Sequence, residues 1–293
     1  MRIQTFSIVA GSEACNARCP FCVSKMTVSH SLGLKEPQVN WRNFRKACQL
    51  AARSGVTTAM LTGKGEPTLF PEQISAYLRA MRPFDFPLVE LQTNGILLGE
   101  QSERSLAHLE TWSQAGLSLV AVSIMHYEPE RNREIYLPHR SAYIDLAALI
   151  DTVHACGLSI RLACVMAAGY VDTIDELDEL VRFAREHRVE QLTVRPVAHP
   201  GADRSRDAEV YDWSAAHYLP EERQREIHAH LERQGVRLMT LMHGAQVFDV
   251  GGQNVCLTDC LTIAPATEDI RQLIFFPDGH LRYDWQYEGA ILL

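Results

Sequence analysis

Three of the chain's eight cysteines fall within eight residues, Cys15-Asn16-Ala17-Arg18-Cys19-Pro20-Phe21-Cys22, while the others are scattered. Crowding of this kind in a large chain reads as metal binding rather than as a disulfide framework. Cysteine thiolate is the usual ligand of iron-sulfur clusters. Three thiolates on one short loop hold three corners of a cubane and leave the fourth iron without a protein ligand. An open corner can bind a substrate or cofactor, by the logic that separates open catalytic metal sites from closed structural ones. The alternative is a zinc knuckle or an electron-transfer cluster, each of which wants a fourth ligand, with Cys256 and Cys260 as the candidates.

Polar segments follow several of the apolar runs. In Thr62-Gly63-Lys64-Gly65-Glu66-Pro67-Thr68-Leu69 a glycine turn brings backbone carbonyls and the Glu66 carboxylate close to a ligand. Such acceptors suit the ammonium of a bound amino acid, although Gly-Glu-Pro is also ordinary turn chemistry. Gln92-Thr93-Asn94-Gly95 and Val122-Ser123-Ile124 end the next two runs, and their side chains either contact a ligand or close a turn.

The spacing of three residues and then two, with an aromatic before the last cysteine, resembles the signature of the radical S-adenosylmethionine (SAM) superfamily. Residues 62–69 resemble that family's Gly-Gly-Glu-Pro segment, with Lys64 in place of the first glycine. The resemblance implies a [4Fe-4S] cluster on Cys15, Cys19 and Cys22, with SAM chelating the open iron through its amino and carboxylate groups. It implies reductive cleavage of SAM to methionine and a 5'-deoxyadenosyl radical that takes hydrogen from a substrate. It further implies SAM contacts at Phe21, Gly65, Glu66, Thr93, Asn94 and Ser123, a carboxylate clamp at Arg133 and an adenine wall at Val165. Around Val165 the family's glycine-rich stretch is replaced by Arg161-Leu162-Ala163-Cys164-Val165-Met166. An oxygen-sensitive protein and an electron donor such as a flavodoxin or ferredoxin are implied as well.

The elements that must carry these segments are legible as short apolar or alternating runs at 3–10, 58–62, 88–92, 117–124, 158–166 and 191–197, each read as a strand. Helical periods lie between them: Trp41, Phe44, Cys48 and Ala51 behind Asn40; Leu106, Leu109 and Trp112 before Gly116; Leu146, Leu149, Ile150 and Val153 before Gly157. Two more are Leu177, Leu180, Val181 and Ala184 behind a Thr173–Glu176 capping box, and a segment from Pro220 to Gly235. Six strands each followed by a helix predict an α/β fold, a partial (β/α)6 TIM-like barrel with ligands at the carboxyl ends of its strands. The division expected is a core over 1–235 and a short C-terminal extension over 236–293, with a hairpin at Pro277-Asp278-Gly279-His280.

Composition bounds the function. The chain has 293 residues, 46% of them hydrophobic and 22% charged, which is that of a globular protein. Its 28 Lys and Arg against 36 Asp and Glu leave a formal charge of -8, which disfavours nucleic acid as a partner. No signal peptide and no run of some twenty apolar residues is visible, so a cytoplasmic protein without a membrane span is expected. Many peptide-modifying relatives carry a cysteine-rich C-terminal extension that is not visible here. The expectation is therefore a small organic substrate, with a peptide or RNA substrate, or a non-catalytic iron-sulfur or zinc protein, as alternatives.

Overall fold

The computed structural model describes residues 3–28, 30, 32–137, 139–198, 207–261 and 270–293. In chain order the elements are β1 (Ile3–Val9), α1 (Val23–Met26), α2 (Trp41–Arg53), β2 (Thr58–Thr62), α3 (Pro71–Met81), β3 (Leu88–Thr93), α4 (Ile96–Gly99), α5 (Glu103–Gln114), β4 (Leu119–Ile124), α6 (Pro129–Tyr136) and α7 (Leu146–Ala155). They continue with β5 (Ser159–Met166), α8 (Ile174–Glu186), β6 (Gln191–Pro196), α9 (Ala208–Ala216), α10 (Glu221–Gln234), β7 (Val236–Thr240), β8 (Gln246–Val250), β9 (Gln253–Leu257), β10 (Ile270–Phe275) and β11 (Leu281–Arg282).

Short side chains with a polar oxygen set where the helices begin. Asn40, Ser102, Asp145 and Thr173 each accept from the backbone N–H three residues on, which starts α2, α5, α7 and α8. Each such cap is worth about 1 kcal/mol. Only half of the expected capping box at Thr173 forms: Glu176 turns back to accept from the Asp172 N–H instead, at 3.0 Å. The helix α3, not read from the sequence, starts at Pro71 and buries Ile74, Tyr77 and Leu78.

The strands form one sheet in the order β11-β10-β1-β2-β3-β4-β5-β6-β9-β8-β7. From β10 through β9 every neighbouring pair is parallel, and the antiparallel strands β11, β8 and β7 lie at the two edges. Strands β1 to β6 are the six expected repeats. The segment after Gln234 lengthens this sheet at both ends, β9 beside β6 and β10 beside β1. The sheet is curved but not closed, a partial barrel.

Two faces follow from the strand period of two. On β5, Ile160, Leu162, Cys164 and Met166 are buried against the helices, whereas Arg161 and Ala163 face the lumen half-exposed. The helix side holds the large core, in which Phe6, Phe44, Tyr77 and Trp112 are fully buried. Trp112 satisfies its indole N–H on Ser75 Oγ at 3.0 Å. The lumen side is polar in register: Gln92, Ala121, Arg161 and Gln191 form one row, and Ser123, Ala163, Thr193 and Cys256 the next toward the carboxyl ends. Among the described residues no helix is long and apolar enough to cross a membrane.

Candidate active site at the carboxyl ends of the strands

The loop after β1 carries the three thiols. Backbone bonds pin it on two sides: the Glu66 N–H donates to Ala14 O at 2.9 Å and the Arg18 N–H to Tyr136 O at 3.0 Å. Cys22 stands immediately before α1, so the last thiol is placed by a helix start. Asn94 Nδ2 donates to Asn16 Oδ1 at 2.7 Å and reaches Cys15 Sγ at 3.8 Å, tying the loop to the end of β3. Phe21 packs edge-on against Tyr136, centroids 6.0 Å apart, and leans on Trp213 at 5.7 Å.

The segment after β2 is equally fixed. A Cβ on Gly65 would lie 2.1 Å from Ala14 O, so only glycine permits this approach of the two loops. Glu66 is buried, and its Oε1 accepts from Thr68 N (3.0 Å), Thr68 Oγ1 (2.7 Å) and Thr93 Oγ1 (2.6 Å). Among the described residues its Oε2 accepts only from the Asn94 N–H, at 2.9 Å. One carboxylate oxygen is thus saturated, and the other keeps capacity for a further donor. Burial pushes the Glu66 carboxyl up from its usual range, against the pull of those hydrogen bonds. A cationic partner offsets that cost.

Lys64, which replaces a glycine of the family segment, is buried; its ammonium donates to Ser24 O at 3.0 Å and to Thr27 Oγ1. It holds α1, and with it the Cys22 end of the loop, against the end of β2.

A cavity of about 890 Å³ opens over these strand ends. Its lining includes Cys15, Cys19, Cys22, Phe21, Gly65, Glu66, Thr93, Asn94, Ser123 and Val165. The structure thus brings together on the lining of one cavity the residues that the resemblance singled out, except Arg133. Arg133 lies on α6 outside the lining; its guanidinium pairs with Glu130 at 2.7 Å and donates to Arg140 O at 3.1 Å. The carboxylate one helical turn back has captured it, as spacing of three residues on a helix allows.

The donor set suits an iron-sulfur cluster. All three thiols are free, with no disulfide among them. Burial raises the pKa of Cys15 and Cys19, and each is raised further by the neighbouring thiols. Three thiolates held close together on one loop need positive charge, which bound iron would supply. Among the described residues no three Cys, His, Asp or Glu side chains converge on a point that would hold a single metal ion. A cubane differs in spreading its thiolates over separate iron corners.

Sequence reasoning missed part of the lining. Tyr136 and Arg195 line the cavity, and so do Asp207, Glu209 and Val210 at the start of α9, where Asp207 pairs with Lys25 of α1. Tyr136 ends a helix of weak apolar pattern, and α9 has no period that points to a site, so neither carried a usable signal. The strand-end position of Arg195 was such a signal. Cys256 and Cys260 have different surroundings: Cys256 is on the lumen face of β9 beside Thr193, and Cys260 is buried with its thiol toward Gln224 O at 3.7 Å. His126 is buried, its Nδ1 accepting from the Glu128 N–H at 3.0 Å, and its ring stacks on Tyr127 at 4.3 Å.

Residues 9–184 match the Radical SAM superfamily. GTP 3',8-cyclase of Aquifex aeolicus is 27% identical over 173 residues, 59% of this chain and 50% of that protein. The GTP 3',8-cyclase of Chlorobaculum tepidum is 28% identical over 188 residues, 64% of this chain and 51% of its own length. The chain therefore spans about half the length of these curated relatives. Among solved structures, Streptococcus suis SuiB bound to S-adenosylmethionine superposes with a TM-score of 0.65 at 14% identity, covering 99% of this chain and 62% of that one. AdoMet-bound anSMEcpe gives 0.59 at 13%, covering 100% and 74%. The chain belongs to the radical SAM superfamily, whose enzymes work with a [4Fe-4S] cluster and S-adenosylmethionine.

Proposed function

We propose that this enzyme holds its cluster on Cys15, Cys19 and Cys22 and positions SAM along the strand ends, so that hydrogen is abstracted from a small organic substrate in the same cavity. When bound, cluster and SAM supply a 5'-deoxyadenosyl radical, and the protein's work is to bind, orient and exclude water. Glu66 Oε2 accepts from the SAM ammonium, Ser123 meets the ribose and Val165 the adenine, with Phe21, Gly65, Thr93 and Asn94 completing the wall. Fixing the 5' carbon against one C–H bond is the source of rate and selectivity.

The observation that carries the small-molecule reading is the cavity itself. Ligand sites for small molecules run from about 300 to 1,000 Å³, and the volume here must hold SAM as well as the substrate. Its described lining has Arg18, Lys25, Lys64 and Arg195 against Glu13, Glu66, Asp207 and Glu209. Four cations balanced by four anions do not make the surplus-positive groove that RNA requires. GTP is the first small molecule to test, because the curated relatives bear that name.

The test is anaerobic turnover of the reconstituted enzyme with SAM, reductant and either GTP or cell extract divided by size. A rise in 5'-deoxyadenosine above the substrate-free background with GTP or the small-molecule fraction supports the reading. A rise confined to the peptide or RNA fraction overturns it.

A further inference from the structure

Arg195 sits near the end of β6, half-buried, with its side chain on the cavity wall. Of the other cations on the lining, Lys25 and Lys64 are engaged, and Arg18 belongs to the cysteine loop. Lys25 pairs with Asp207 at 3.6 Å, and Lys64 is held by Ser24 and Thr27. Arg161, on β5 four residues deeper in the lumen than Val165, pairs with Glu90 at 2.7 Å and donates to Gln191 Oε1 at 2.8 Å. Arg195 has neither a carboxylate partner nor a hydrogen-bond acceptor among the described residues. A guanidinium partly withdrawn from water without counter-charge is costly, and its planar fork matches an oxyanion.

Its place in the sheet says which oxyanion. The proposed SAM contacts step round the mouth in strand order, Glu66 after β2, Asn94 after β3, Ser123 on β4 and Val165 on β5. Arg195 is the register partner of Val165 on the next strand, β6. It therefore lies one strand past the adenine end of SAM, and adenine carries no negative charge.

We infer that Arg195 is an anion subsite for the second substrate, binding its carboxylate or phosphate over the end of β6 while SAM occupies β2 to β5. The inference rests on the proposed placement of SAM. It assigns the substrate a chemical class, a small organic acid or phosphate ester, and it orients the molecule with the anion toward β6 and the reacting C–H toward Ser123.

The test uses cluster-loaded protein kept anaerobic, with acetate and inorganic phosphate as probes at constant ionic strength against chloride, and reads thermal midpoint against probe concentration. The expected result is a saturable rise with acetate, phosphate or both that persists when SAM is saturating. In Arg195→Gln the half-saturating concentration moves up at least about tenfold, and Arg195→Lys, which keeps the charge and loses the fork, falls between. The inference is overturned by a wild-type response no larger than chloride's or by an unchanged midpoint in Arg195→Gln. It is overturned as well by a response that SAM abolishes, since the site would then be SAM's own. SAM binding is read separately from its effect on the cluster's electron paramagnetic resonance: if SAM leaves that spectrum unchanged, the placement of SAM and this inference fall together, whereas SAM binding without anion binding removes the inference alone.

Discussion

Substituting Gly65 by alanine tests whether the Gly-Glu-Pro segment is what holds the cysteine loop in place. The added Cβ would stand 2.1 Å from Ala14 O and 2.7 Å from the carbonyl carbons of Ala14 and Glu13. Those atoms are backbone, so no side-chain rotation relieves the contact, and the loop must slide away from the end of β2 by the better part of an ångström. That movement breaks the Glu66 N–H to Ala14 O bond of 2.9 Å, worth about 1 kcal/mol. With the displaced backbone the total is on the order of 2 to 3 kcal/mol. Cys15 moves with Ala14, away from Cys19 and Cys22. Urea denaturation of the cluster-free protein should show the loss of stability, and iron content after reconstitution should fall. Gly63→Ala is the comparator: its Cβ would meet Gly65 O at 3.0 Å and Ala10 O at 3.1 Å, a far milder conflict, so it should cost clearly less. A Gly65→Ala protein with a wild-type midpoint and full iron content would refute the reasoning.

Other outcomes follow from the same geometry. Glu66→Gln removes the charged acceptor on the cavity side and should weaken SAM binding by roughly 10- to 150-fold, the equivalent of one charge-assisted bond, as read by titrating SAM against the cluster's electron paramagnetic resonance; unchanged affinity removes Glu66 from the SAM site. Tyr136→Phe deletes a buried hydroxyl that has no hydrogen-bond partner among the described residues, so denaturation should find stability equal to wild type or higher by about 1 kcal/mol; a clear loss would contradict this. His30 is pulled from its usual 6.5 to about 4, chiefly by burial and then by the positive charges of Arg282 and Lys64. Its neutral form is the one the fold accepts, so its stabilising share is complete above about pH 6.5 and is lost as pH falls toward 4. A His30→Phe variant, keeping the edge contact with Phe276, should lose less stability over that window than wild type, and parallel losses would count against the assignment.

The parts of this architecture that the sequence announces are those whose physics is local. Thiol spacing on one loop decides what the cysteines can bind, and strands with one well-buried face read as alternating or apolar runs wherever they pair, which is why β1 to β6 are legible. What is hidden depends on long-range pairing. Nothing in residues 253–257 says that they lie beside β6, or in residues 270–275 that they lie beside β1, because the partner is elsewhere in the chain. Arg133 shows the converse: downstream position suggested a ligand clamp, but Glu130 one turn back holds the guanidinium outside the cavity. Tyr136 and the start of α9 reach the site only through tertiary packing against the cysteine loop.

The most direct test of the central claim is anaerobic: protein reconstituted with iron and sulfide, given SAM and a strong reductant, is assayed for 5'-deoxyadenosine alongside Cys19→Ala. The wild type is expected to yield 5'-deoxyadenosine and the variant none. A fully loaded cluster that yields none, with a spectrum indifferent to SAM, would contradict it and leave an electron carrier in its place.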